Sequence, residues 1–290
     1  MPNATTSAIP SEDLTGFDRV IRPHHGWVAL NIKELWRYRE LFLFLAWRDI
    51  LVRYKQTYLG IAWAILQPVL TTAIFVLLGR AANFPTDGAP RTVFVFAALL
   101  PWQLFSHALT ESSNSLVASA RIISKVFFPR LIVPASAVLS GTVDFLIGMV
   151  ILMFLMFIYH VQLNWHLLLL PLFFAQCFLT AFAVGVWLSA LNVKYRDVRH
   201  IVPFFTRIGL FVSPVWFNVT QVKPKWLPDL IYYTLNPMAG VLESFRWSVL
   251  GTGFEPHWSG LWSGLAVTIV LLITGLIHFR RTERTFADII

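Results

Sequence analysis

Six stretches of this chain, at residues 59–79, 92–110, 135–159, 166–191, 199–217 and 258–279, are apolar almost throughout, with acidic and basic side chains, histidines apart, confined to Asp144, Arg199 and Arg207. At 1.5 Å of rise per residue, each is about long enough as a helix to cross the roughly 30 Å hydrocarbon core of a bilayer. In hydrocarbon a backbone must satisfy its own N–H and C=O groups, and apolar runs of this length do so as α-helices. The pattern therefore predicts an all-α polytopic membrane protein with six transmembrane helices. Composition agrees: 57% of the 290 residues are hydrophobic and 13% are charged, against about 25% charged in an average soluble domain. That is more apolar surface than one soluble core of this length could hide, which excludes soluble-enzyme, collagen-like, coiled-coil and disordered classes.

An even number of spans puts both termini on one side, and the basic residues choose the side. Seventeen of the 23 Lys and Arg fall in the amino-terminal segment and in 110–130, 192–200 and 280–290, five fall in the alternate loops, and Arg207 lies within a span. The positive-inside rule then makes both termini cytoplasmic. The net charge of +8 is a topology signal, and no nucleic-acid partner is needed to explain it. Residues 1–28 are polar, carry Pro2, Pro10 and Pro23 and lack a signal-peptide core, so they predict a flexible cytoplasmic tail. Within 29–58, Lys33, Arg37, Glu40, Arg48 and Lys55 share one sector of a helical wheel, although Phe44 and Leu51 intrude on it. The hydrophobic stretch Leu41–Trp47 is too short to cross a bilayer, so an amphipathic interface helix lying on the membrane is the better reading than a buried one. A single cysteine, Cys177, excludes an intrachain disulfide and a cysteine metal cluster.

Two connecting segments carry more information. On the cytoplasmic side, Glu111-Ser112-Ser113-Asn114 offers helix-capping chemistry. Leu116, Val117, Ala120, Ile123 and Ser124 follow at helical spacing, with Arg121 and Lys125 between them, before Phe127-Phe128-Pro129-Arg130 ends the element. A short amphipathic helix is predicted, one that either rests on the membrane surface or passes a push from a soluble partner to the two spans it joins. On the outer side, Leu230–Leu242 is apolar but only 13 residues long and is broken by Asn236-Pro237 and Gly240. It predicts re-entrant or interfacial helices before the last span. Trp216, Trp226, Trp247, Trp258 and Trp262 surround it, either as an aromatic belt or as sugar-stacking surfaces at the exit of a pathway.

Asp144 and Arg207 lie nine and eight residues into their spans when these begin at Ala135 and Arg199, or about 12 to 14 Å deep at helical rise. Matched depth allows a direct ion pair. The alternatives are that each faces an aqueous path, or that Arg207 snorkels towards headgroups.

Several chemistries are missing. No glycine is followed by lysine, so the loop that cradles nucleotide phosphates is absent and this chain should not hydrolyse ATP alone. Neither HExxH nor GxSxG occurs, and His24-His25 sits in the tail, where a solvated pair is the simpler reading than a ligand site. Two rival functions remain beside a transport subunit powered from elsewhere. An ATP-independent channel or secondary carrier could use Asp144 and Arg207, although two charges are little material for ion coupling. A membrane-embedded glycosyl or acyl transferase could use Asp229, Glu243, Glu255 or His257, although these are scattered in sequence and a structural rim explains them as well.

Arg53-Tyr54-Lys55-Gln56-Thr57-Tyr58-Leu59-Gly60, followed by Trp63 and Leu66-Gln67-Pro68, resembles the approach to the first span of type 2 ABC exporter permeases that move polysaccharides and teichoic acids. Ser124–Arg130 with Pro134, Asn192–Val198, Ser213-Pro214-Val215, Leu235–Met238 and Phe286–Ile289 follow in that family's order, so the resemblance runs from about Leu30 to Ile290. The resemblance implies a homodimer of six-span subunits in the bacterial inner membrane, with two copies of a cytoplasmic ABC ATPase holding ATP and Mg and no cofactor in this chain. It implies an ATPase-coupling helix containing Glu111, Ser112, Asn114, Leu116, Arg121, Ser124, Lys125 and Phe127, and an interface helix carrying Arg37, Arg48, Arg53 and Lys55. Residues 59–290 would form the permease domain. The cargo it implies is a lipid-linked glycan, with O-antigen the best fit and capsule or teichoic acid close relatives. For such a cargo Trp216, Phe217, Tyr232 and Tyr233 are expected to line the path or gate, because ring faces bind each sugar weakly and repeatedly.

Overall fold

The computed structural model describes residues 32–55, 60–219, 228–251, 255–283 and 286. The tail expected at 1–28, Trp226 and the Ala287–Ile289 part of the terminal motif lie outside them. The helices are α1 (Ile32–Arg37), α2 (Arg39–Lys55), α3 (Gly60–Ala81), α4 (Arg91–Ala118), α5 (Ala120–Ile123), α6 (Ile132–Ile158), α7 (Leu170–Lys194), α8 (Val198–Val212), α9 (Asp229–Leu235), α10 (Pro237–Leu250) and α11 (Trp258–Glu283). Five are long and apolar enough to cross a membrane: α3, α4, α6, α7 with the 3-10 turn before it, and α11. Among the described residues there is no strand.

The bundle is built around α4. Every residue from Val93 to Trp102 is buried, as expected for a helix apolar on all sides. It packs chiefly on α6 and α7, and also on α3, α8 and α10. The other long helices each turn an apolar stripe outward: Leu70, Ile74 and Leu77 on α3, Val150, Phe154 and Phe157 on α6. That surface suits hydrocarbon. Where α10 meets α11, the backbones themselves touch. A Cβ at Gly240 would lie 2.9 Å from the Gly260 carbonyl oxygen, and one at Gly264 would lie 2.8 Å from that of Pro237. Small residues at such crossings let membrane helices pack closely by dispersion.

The run expected as a span at 199–217 forms differently. α8 has 15 residues, about 22 Å at helical rise. It ends because Pro214 drives Ser213 out of the helical region, to φ −79° and ψ 151°. The irregular backbone that follows is covered by protein, with Val215, Phe217 and Val219 only 0%, 6% and 1% exposed. Non-helical backbone at membrane depth is tolerated under such cover. The expected helix start at Glu111 also differs. α4 runs unbroken through it to Ala118. The polar side chains there bond backwards along the same helix: Ser113 Oγ and Asn114 Nδ2 donate to the Thr110 carbonyl at 2.9 and 3.0 Å, and Ser115 Oγ donates to that of Ser112 at 2.7 Å. Hydroxyls and amides mid-helix can do this instead of capping. The break comes at Ser119, and only the single turn α5 follows it. The short segment expected on the outer side does form two helices, α9 and α10, divided at the expected Asn236-Pro237.

Candidate functional site

Between α3, α4, α6 and α8 lies a cavity of about 860 Å³, with Arg53 and Tyr54 from the last turn of α2 in its wall. The segment with the family-like Arg53-Tyr54-Lys55 motif is thereby brought against the membrane helices. Arg53 Nη2 lies 2.7 Å from Asp144 Oδ2, and Tyr54 Oη donates to the other Asp144 oxygen. Burial, and then this bond, push the Tyr54 hydroxyl well above its ordinary pKa, so it stays a donor. Arg53 Nη1 also lies 2.8 Å from His107 Nε2 on α4. Asp144 therefore takes Arg53 as its partner, and the pairing with Arg207 that matched depth allowed is not made. Arg207 lines the same cavity from α8, as do Glu111, Trp63 and Trp102 from α4 and α3. The interface-helix cations separate accordingly: Arg53 faces the cavity, Arg48 bonds its neighbour Asp49 at 2.7 Å, and Arg37 and Lys55 are exposed.

The residues expected to couple to an ATPase split into two groups. Ser112 and Leu116 are fully buried, and Asn114 accepts from Asn192 Nδ2 at 3.1 Å, tying α4 to the end of α7. Arg121, Ser124, Lys125 and Phe127 are exposed at the corner between α5 and α6, where Val126 and Phe127 leave 55% and 67% of their surface uncovered. The first group fixes the corner and the second is its free face. A clamp holds the corner from the other end of the chain. Arg130 Nη1 donates to the Glu283 carbonyl at 2.5 Å, Arg280 Nη1 pairs with the Glu283 carboxylate at 3.0 Å, and the Arg130 guanidinium lies 5.7 Å from the Phe286 ring centre. Phe286, wholly buried, meets Phe279 edge-on. Arg130→Ala is expected to cost about 1 to 2 kcal/mol at this corner. Limited proteolysis should then nick 119–130 faster while the rest of the bundle stays resistant.

At the opposite end the sequence missed the central residue. Arg246, counted above only as one outer-loop cation, is 4% exposed on α10. Its Nη2 donates to the carbonyls of Pro214 and, at 3.1 Å, Val215, its Nη1 donates to that of Phe217 at 3.4 Å, and its guanidinium lies 3.8 Å from the Phe94 ring centre on α4. Asn236 Nδ2 donates to Ser213 Oγ at 2.9 Å. Carbonyls of the irregular stretch after α8 are thus collected by one buried guanidinium. Three of the proposed transferase groups also differ in setting. Glu243 accepts from Tyr233 Oη at 2.7 Å and lies 3.6 Å from His257 Nδ1, while Glu255 is exposed.

The four aromatics expected at the path or gate stand around this junction. Phe217 and Tyr233 are buried and present no ring face outward, since their apolar surface is spent on the subunit's own core. Trp216 is half-buried between Phe75, Phe84 and Phe217, and Tyr232 is half-buried with its hydroxyl donating to the Val212 carbonyl at 3.1 Å. Among the described residues, no group of three or more His, Cys, Asp or Glu could hold a metal ion.

Most of the chain finds relatives. It is 28% identical to the O-antigen export system permease protein RfbA of Myxococcus xanthus over 89% of this chain and 98% of that one. It is 26% identical to an O-antigen export system permease RfbA of Klebsiella pneumoniae, over 87% and 95%. The polysialic acid transport protein KpsM of Escherichia coli is 23% identical over 81% and 91%. Residues 40–250, which hold α2 to α10 with the cavity, the corner and the Arg246 junction, match the family model described as ABC-2 type transporter, and the chain belongs to that family.

Proposed function

We propose that this chain is the membrane-spanning permease subunit of an ATP-driven exporter that carries a lipid-linked polysaccharide, of O-antigen type, out of the cytoplasm across the bacterial inner membrane. The observation that carries this reading is the similarity to permeases named for O-antigen export, which extends over 89% of this chain and 98% of one of them. The missing nucleotide-binding loop supports it from the other direction, because such a chain must borrow its energy. In this reading α8 and the buried stretch 213–219 together make a fifth crossing, so the chain crosses six times and both termini are cytoplasmic. Residues 29–58 lie at the cytoplasmic interface and α9 and α10 dip back from the outer side. Two copies of the chain enclose the path, since six helices scarcely surround a glycan, and two ATPase subunits bind the α5 corners. ATP and Mg belong to those subunits. ATP binding moves the corners, and the clamp at Glu283 and the Asn192 bond carry the displacement into α11 and α7.

The test is copurification with a soluble ATPase. Substituting Arg121→Glu, Lys125→Glu and Phe127→Ala together should weaken ATPase association at least about ten-fold, or ~1.4 kcal/mol, without altering the melting temperature of the permease. Unchanged association, or nucleotide hydrolysis by the isolated chain, would overturn the reading.

A further inference from the structure

Arg207 is exposed in the wall of the 860 Å³ cavity, nine residues along α8 from Val198 and so about 13 Å from that end of the helix. A guanidinium on a helix that also exposes Phe204, Phe205 and Ile208 calls for an anion, because an unpaired charge at membrane depth is costly. The ion pairs among the described residues give it none. Asp144, the acid deep in the same cavity, is held by Arg53 and Tyr54, and Glu111 is exposed at the cavity wall on α4. Among the described residues none supplies that anion, and a ligand in the cavity can.

The walls say which kind. Arg207 on α8 and Arg53 on α2 present two planar guanidinium forks to one space, and such forks match the oxygens of phosphoryl groups in paired hydrogen bonds. Trp63, half exposed, lines the same space, offering an apolar face to a lipid chain or sugar beside the phosphate. We propose that this cavity is a phosphoryl-binding site, in which Arg207 and Arg53 grip a phosphate or diphosphate ester and Asp144 occupies Arg53 until the ester arrives. The inference rests on the reading of the chain as an exporter of lipid-linked glycan and names the group by which such a cargo is held. It also gives the site a mechanical output. When the ester takes Arg53 from Asp144, the ion-paired tie between α2 and α6 is released, and the interface helix reports that the cavity is loaded.

The same chemistry could come from a phospholipid headgroup, and the experiment separates the two sources. The full-length permease is placed in nanodiscs of phosphatidylcholine and titrated with farnesyl diphosphate, with farnesol and inorganic pyrophosphate as controls. Farnesyl diphosphate should bind more tightly than either control and more weakly as salt rises. R207Q and R53Q should each weaken it about ten-fold. D144N should strengthen it several-fold, because the competing carboxylate is gone, whereas a merely structural Asp144 would lose binding on the same substitution. Repeating the titration in phosphatidylglycerol nanodiscs identifies the source. An affinity that falls in wild type but not in R207Q marks the headgroup as the resident anion, and an unchanged affinity marks the cargo ester.

Equal binding of farnesol, an unchanged affinity in R207Q with a wild-type melting temperature, or weakening in D144N would each overturn the proposal. A second subunit that neutralised Arg207 would produce the unchanged affinity. ATPase copurification is measured separately, so loss of this site would leave the exporter reading standing, and failure of copurification would leave the binding result intact.

Discussion

Arg246→Met is expected to leave little folded permease. The substitution keeps much of the side chain's volume but removes the donors that serve the carbonyls of Pro214, Val215 and Phe217. A buried carbonyl without a partner costs about 1 to 3 kcal/mol, and water is scarce in a stretch where Val215 and Val219 are 0% and 1% exposed. Together with the lost guanidinium–ring contact to Phe94, the expected loss is about 3 to 5 kcal/mol, the range for breaking a buried charged network. Arg246→Lys separates charge from geometry. A lysine keeps the positive charge but presents a compact ammonium rather than a planar fork, so it should recover part of the stability and not all of it. The readout is the melting temperature and the monodisperse fraction of the detergent-purified protein. Full recovery by lysine would mean that charge rather than the three-carbonyl geometry holds the junction, and a wild-type melting temperature in the methionine variant would remove Arg246 from the account.

Much of the fold could be read from the sequence because its main cause is local. A run such as Trp258–Phe279 declares itself a helix by length and apolarity alone, and α11 occupies Trp258–Glu283. The Asn236-Pro237 break was legible for the same reason, since proline's geometry acts on its immediate neighbours. The misread places are those where a residue's role depends on distant partners. Ser113 and Asn114 look like caps until a continuous α4 makes them bond backwards. Asp144 and Arg207 look like a pair by depth until α2 folds Arg53 into reach. Arg246 lay in a segment counted as outer loop, and nothing local marks it as buried. Its one available signal was position: an arginine nine residues after Pro237, within a largely apolar helical run, opposite a helix that Ser213-Pro214 must end.

The glycine crossing of α10 and α11 gives the last expected result, and it turns on what each added atom would strike. At Gly148 a Cβ would lie 2.2 Å from Leu100 Cδ2, closer than any contact at Gly264, where the nearest atom is the Pro237 carbonyl oxygen at 2.8 Å. Ranked by distance alone, Gly148→Ala would be the worse substitution. The obstacle at Gly148 is the tip of a side chain that can change rotamer, at about 1 kcal/mol for an off-ideal torsion. At Gly264 it is the backbone of the first turn of α10, and beside it a Cβ at Gly240 would meet the Gly260 backbone at 2.9 to 3.0 Å. Relief there requires the two helices to separate, which also strains the Tyr233 ring that sits against Gly260 and donates to Glu243. Gly264→Ala should therefore destabilise more than Gly148→Ala, and Gly264→Leu should cost about 3 kcal/mol or more, at the upper end of overpacking effects. For a chain of this size that is a fall of roughly 5 °C or more in melting temperature. Equal tolerance of leucine at Gly264 and alanine at Gly148 would mean that α10 is free to move away from α11. α9 and α10 would then be a mobile flap, and Arg246 could not be holding a fixed junction beneath them.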